Sequence, residues 1–210
     1  LSFFLAEAIE LYSSSPKKSV ALIKGESLHA HKVLDQVRKK KKVYREPKNS
    51  RDVEKVLDAY SRDAVATGGG GAILFSVIGG KMSEGINFAN DMARCVLVVG
   101  LPYPDITDPE MQEKMKSLDK EFKENGGNGI NGQSYYHNLC MRAVNQSIGR
   151  AIRHAQDYAA VVLCDQRYSA DARIWRALPK WLRGEDAFKQ KQSFGQAMGD
   201  LRHFFDQLGR

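Results

Sequence analysis

The chain has 210 residues, enough to bury one good core as a single domain. Its 32 Lys and Arg against 25 Asp and Glu leave a formal charge of +7, which favours a polyanionic partner without demanding one. Cys95, Cys140 and Cys164 are widely separated and form no C-x-x-C pair, which argues against a zinc site and a secreted disulfide framework.

No apolar stretch reaches membrane-spanning length and no secretory signal is visible, so a soluble, intracellular protein without membrane contact is expected. The chain opens on Leu1 rather than Met, so it is expected to be a fragment. Residues 1–37 carry the weakest pattern: a possible amphipathic helix from Phe3 to Tyr12, a Ser13–Pro16 break, and an apolar stretch from Val20 to Ile23. Arg38 to Lys42 form a five-residue basic run. It reads first as a solvated helix end, with a nuclear import signal or a contact to DNA backbone as the other readings. Asp52 to Tyr60 has helical spacing, and a four-glycine linker follows Thr67.

Ala72 to Ile78 is a continuous apolar run bounded by glycines, the pattern of a strand buried on both faces. The loop after it, Gly79-Gly80-Lys81-Met82-Ser83-Glu84-Gly85-Ile86-Asn87-Phe88, is not a Walker A loop. That motif needs Gly where Phe75 stands, and Ser or Thr where Met82 stands. It can still offer N–H groups, a cation and hydroxyls at a strand end. Cys95 to Gly100 is a second apolar run, with Cys95 and later Cys164 expected as reduced core thiols. The run ends in Leu101-Pro102-Tyr103-Pro104, a rigid loop. Thr107 is expected to cap the next helix, with Glu110 completing a capping box. Asn125 to Gln133 reads as a mobile surface loop.

A helix from about Tyr135 then carries the most informative segment, Gln146-Ser147-Ile148-Gly149-Arg150-Ala151-Ile152-Arg153-His154. Helical spacing would stack Gln146, Arg150 and Arg153 on one stripe, with Val144, Ile148, Ala151 and Ala155 opposite. Two guanidinium forks on one ledge suit a multi-oxygen anion, although solvated surface arginines would share the spacing. Gly149, in place of a better helix former, suggests close approach by another backbone or a ligand. Ala159 to Cys164 reads as a third buried strand, Leu178 to Leu182 as a packing turn, and Phe194, Met198, Leu201, Phe205 and Leu208 as the core stripe of a tail helix. Alternating strands and helices mean an α/β domain with a mainly parallel sheet.

The Gly79–Phe88 and Asn145–His154 segments resemble motifs V and VI of superfamily 2 helicases. They are most similar to the iron–sulfur DNA helicases typified by the xeroderma pigmentosum group D protein, and within them to the ChlR-type cohesion helicases. Tyr44-Arg45-Glu46-Pro47-Lys48, Val99 to Pro104 and Leu163 to Tyr168 agree in order and spacing. The resemblance covers about Lys39 to the C-terminus. It implies a RecA-like, P-loop-NTPase-type domain flanked by helices and lacking its own Walker A loop. The expected divisions are a poorly matched segment at 1–37, the helicase C-terminal domain at 38–185, and a packed helix at 186–210.

The same resemblance implies roles. Arg150 and Arg153, with Gln146, would be catalytic. Glu84, Gly85, Asn87 and Gly149 would face the nucleotide. Lys81, Ser83 and Ser76 would face DNA, and no residue here would bind metal. ATP and Mg2+ would be held mainly by an N-terminal helicase half outside this chain, which would also carry an iron–sulfur cluster. Single-stranded and fork-like DNA, a monomeric state, the nucleus, DNA repair and sister chromatid cohesion complete the expectation. A nucleic-acid-binding module without an ATPase role is the alternative reading. A metal-dependent nuclease or phosphatase is disfavoured by five scattered His.

Overall fold

The computed structural model describes residues 19–23, 37–66, 70–80, 82, 92–152, 157–184 and 193–208, with the first segment described for its backbone alone. Five strands are found among these residues: β1 (Ser19–Ile23), β2 (Lys42–Arg45), β3 (Ala72–Ser76), β4 (Cys95–Val99) and β5 (Ala160–Cys164). They form one sheet in the order β2-β3-β1-β4-β5, and every pairing is parallel. The helices are α1 (Val53–Val65), α2 (Pro109–Glu124), α3 (Gly132–Ile148), the short α4 (Arg167–Ala170) and α5 (Ala172–Ala177), and α6 (Phe194–Gln207).

β3 and β4 are buried on both faces, because parallel strands need crossovers, and crossovers bring helices. The steps from β2 to β3, β3 to β4 and β4 to β5 cross the sheet in one direction, so right-handed connections put α1 to α3 on one face. Side-chain parity agrees. Leu74, Val96 and Val98 pack with Tyr60 and Ala64 of α1 and with Cys140, Val144 and Ile148 of α3. Ile73, Phe75, Cys95, Leu97 and Val99 point the other way, against Val37 and against Phe205 of α6.

The apolar stretch Val20–Ile23 is the middle strand, pairing with both β3 and β4. A domain begun at residue 38 would therefore lack its central strand. Other expectations need correction. β3 stops at Ser76 rather than Ile78, and Val77 is exposed. β5 is half-buried along its length, because it lies at the sheet edge with one strand neighbour among the described residues. Asp108, not Thr107, caps α2 through Met111 N–H at 3.3 Å, while the Thr107 hydroxyl turns to Asp105. α3 starts at Gly132, inside the expected loop, capped by Asn131. In the tail stripe Met198 and Phe205 are buried, but Leu208 is exposed.

Two buried cations tie the sheet's amino edge together. Arg94, just before β4, donates Nη1–H to Asp157 at 2.5 Å and to the Tyr158 carbonyl at 2.8 Å, and its guanidinium lies over the Tyr158 ring. Lys41 is the inward member of the basic run and donates from Nζ to the Gly70 carbonyl at 3.0 Å. Burial pushes its ammonium down to about 8, partly opposed by Cys95.

An unfolded lysine titrates near 10.4, so between pH 8 and that value the native state binds fewer protons than the unfolded chain. Burial of the charge is therefore a cost below pH 8 that fades as pH rises. In urea unfolding across pH 7 to 10.5, wild type should gain stability relative to Lys41→Met. A difference independent of pH would contradict this.

Candidate nucleotide and nucleic-acid interface

The carboxyl ends of the strands hold the glycine-rich loop. Ser76 ends β3, is buried, and its hydroxyl finds no hydrogen-bond partner among the described residues. The chain then turns at Val77–Gly80, where Gly79 takes a φ of 80° and Gly80 N–H bonds the Val77 carbonyl at 2.9 Å. Glu46, which extends β2, reaches beneath this turn. Its Oε2 accepts from Val77 N–H at 2.8 Å and its Oε1 from Met82 N–H at 3.2 Å. A Cβ on Gly80 would stand 2.5 Å from Glu46 Oε1, so Gly80 is the residue that lets the carboxylate sit there. Met82 is buried in the core under α1 and α3. The loop is thus pinned by one carboxylate and one apolar plug.

In the sequence Glu46 and Met82 stand only as members of matched motifs, Met82 also as the residue that excludes a Walker A loop. An acidic residue just past a strand end, opposite a glycine pair, was the available signal for Glu46. Along the same edge, Asp165 after β5 accepts from the Arg167 side chain and backbone, which holds its carboxyl below the usual range. The expected rigid loop after β4 is braced by Tyr136, whose hydroxyl donates to the Pro104 carbonyl at 2.7 Å and whose ring stacks on Tyr103.

The arginine segment lies elsewhere. α3 ends at Ile148, so Gln146 is helical and exposed while Arg150 sits in the turn beyond the helix. This overturns the single helical stripe. The closest neighbours of a Cβ on Gly149 would be the Asn145 and Gln146 carbonyls, so the tight space there comes from the preceding turn of α3 itself. Arg150 is half-buried between two core residues, Ile148 and Ala151, both fully covered.

Tyr136 holds the start of α3 near the loop after β4, and Ile148 is twelve residues on, roughly 18 Å along a helix. The chain then leads into the first residue of β5. Ser76 and Arg150 therefore occupy opposite edges of the parallel sheet. Lys81, Ser83, Glu84, Gly85, Asn87 and Arg153 lie outside the described residues, as does Ala155.

Comparison with known proteins gives this arrangement a context. The family described as the helicase C-terminal domain matches residues 9–185. The chain belongs to that family. The matched span includes the central strand, both loop edges and the arginine turn. A zebrafish (Danio rerio) protein named ATP-dependent DNA helicase DDX11 is 47% identical over 178 residues, covering 82% of this chain and 20% of the relative. A mouse (Mus musculus) protein of the same name is 45% identical over 84% of this chain and 20% of its own length. ATP-dependent DNA helicase CHL1 of Candida albicans is 49% identical over 72% of this chain and 18% of its own length. This helicase C-terminal domain chain spans about a fifth of the length of these relatives. Their names are those of helicases, which gives a module that only binds nucleic acid no support. Among the described residues no group of three His, Cys, Asp or Glu is placed to hold a metal ion, and no helix is long and apolar enough to cross a membrane.

Glu46 and Gly80 act through the same two hydrogen bonds. Glu46→Ala and Gly80→Ala should each cost about 1–3 kcal/mol in urea unfolding, and the double variant about as much as one alone. Additive losses would sink the clamp.

Proposed function

We propose that this chain is the second motor half of an ATP-dependent DNA helicase, working against an N-terminal half that binds most of the nucleotide. What supports this is the family match over residues 9–185, with Ser76 at the carboxyl end of β3 and Arg150 in the turn after α3 at the other edge of the sheet. The arginine turn at one edge would meet the phosphates across the interdomain cleft. The pinned loop at the other edge would touch the DNA strand.

The residues fit these tasks unevenly. Arg150, set in a turn between two buried anchors, can hold its fork with little loss of rotamer freedom when an anion arrives. ATP with Mg2+ supplies the transferable phosphoryl group, and Arg150 and Arg153 would neutralise the charge that builds on it. Gln146 and Gly149 border that turn, and Glu84, Gly85 and Asn87 would approach the nucleotide from the loop side. Lys81 and Ser83 would contact DNA backbone, and Ser76, whose hydroxyl is covered at the end of β3, would do so only after a local rearrangement exposes it. Cys95 and Cys140 are buried in separate elements and Cys164 is half-buried in a third, so they do not fit an iron–sulfur cluster, which the reading assigns to the other half. The name of the relatives supports ATP and DNA as ligands. Nuclear location, repair and cohesion, fork-like substrates and a monomeric motor belong to the same proposal.

Arg150→Ala in the full-length helicase should lower DNA-stimulated ATP hydrolysis by roughly 10³-fold or more, the scale of arginine fingers, with single-strand affinity nearly unchanged. Turnover within threefold of wild type would contradict the assignment. The isolated 210-residue chain should show no magnesium-dependent ATPase activity. Activity that disappears with Arg150→Ala would overturn the division of labour between halves.

A further inference from the structure

The basic run forms a concavity that the two motif edges leave unexplained. Val37 closes a turn by accepting from the Lys40 and Lys41 N–H groups, at 3.0 and 2.8 Å. Lys41 is drawn inward to the Gly70 carbonyl, so Lys39 and Lys40 stay on the surface. A Cβ at Gly70 would stand 2.1 Å from the Lys40 carbonyl, so this approach of two backbones requires glycine. The result is an open cavity of about 200 Å³ lined by Arg38 to Lys42 and backed by Gly70 and Gly71. Among the described residues Asp63 is the sole carboxylate in its wall, and it is already engaged by Lys42 at 2.7 Å and by the Tyr44 hydroxyl.

Size and chemistry narrow the ligand. The cavity is smaller than the roughly 300–1,000 Å³ typical of drug-sized ligand pockets, so it suits one charged group rather than a whole nucleotide. Among the described residues no aromatic side chain lines it, so nothing there offers a platform for base stacking. Four of its five cations are lysines, point charges that attract phosphate without the directed fork of arginine. Its place is the amino edge of β2 and β3, since Lys42 begins β2 and Gly71 precedes β3. α3, which the Arg150 turn follows, packs on β4, three strand spacings or roughly 14 Å from β2. A phosphate chain bound at Arg150 does not extend that far as part of a single triphosphate.

We propose that this concavity is a separate phosphodiester-binding site, gripping the backbone of a nucleic-acid strand without reading its bases. The choice of nucleic acid rests on the helicase reading; the preference for an anion does not. The strand would run past the β2 side of the domain, away from the edge that holds the Val77–Met82 loop.

The test uses the 210-residue chain and a fluorescent oligothymidylate, with anisotropy titrations at several salt concentrations. Lys39→Gln with Lys40→Gln should weaken binding several-fold and flatten the logarithmic salt slope by about 1.4, two phosphates at roughly 0.7 each. Lys39→Arg with Lys40→Arg should restore both. Melting temperature should not move, because both side chains are exposed. Unchanged affinity and slope, or no oligonucleotide binding by the chain at all, would overturn the proposal. So would a loss confined to polyglutamate binding, which would mark an acidic protein surface as the partner. In the full-length helicase, the same double variant should leave hydrolysis measured without DNA at wild-type level. Failure of this site and failure of the Arg150 assignment are thus separable.

Discussion

Parallel pairing is the constraint on which the rest of the domain depends. Strands that all run one way cannot be joined by tight turns, so each connection crosses a face and covers it. The alternation of Leu74, Val96 and Val98 against Ile73, Leu97 and Val99 follows, as do two hydrophobic layers. All strand ends of one kind then gather at one edge. Loops that follow strands and turns that precede them are forced apart, and this separates Ser76 from Arg150.

Polar ties hold each edge in register. At the carboxyl edge the Glu46 carboxylate bridges β2 to the turn after β3. At the amino edge Arg94 and Asp157 bridge the approach to β4 with the approach to β5, with side chains only 8% and 2% exposed. Truncating one member of such a buried pair strands the other charge, a loss of about 3–5 kcal/mol in comparable cases. Each tie fixes the ground from which the candidate ligand-binding residues project.

Much of this was legible in the residues. Continuous apolar runs announced β3 and β4, and glycines bounding them announced the loop. The parts that resisted have physical reasons. Val20–Ile23 is a short run amid weak flanking patterns, and its central position comes from pairing on both sides, which periodicity does not report. α3 stops at Ile148 although apolar spacing continues through Ala151, because a turn can bury the same residues that a further helical turn would. Lys41 belongs to a uniform basic run, and its burial against the Gly70 carbonyl, 29 residues away, is not written in that run. The cap falls to Asp108, whose carboxylate accepts from Met111 N–H, while the Thr107 hydroxyl donates to Asp105.

The distance between the two edges gives the domain leverage. With about 18 Å of α3 between them, a tilt of roughly 10° about the loop edge would swing the arginine turn through about 3 Å, the length of a single hydrogen bond. Ile148 and Ala151 fasten that turn to the core, so little of the displacement would be absorbed by local bending. A rotation too small to disturb the sheet is therefore large enough to make or break a contact at its far end.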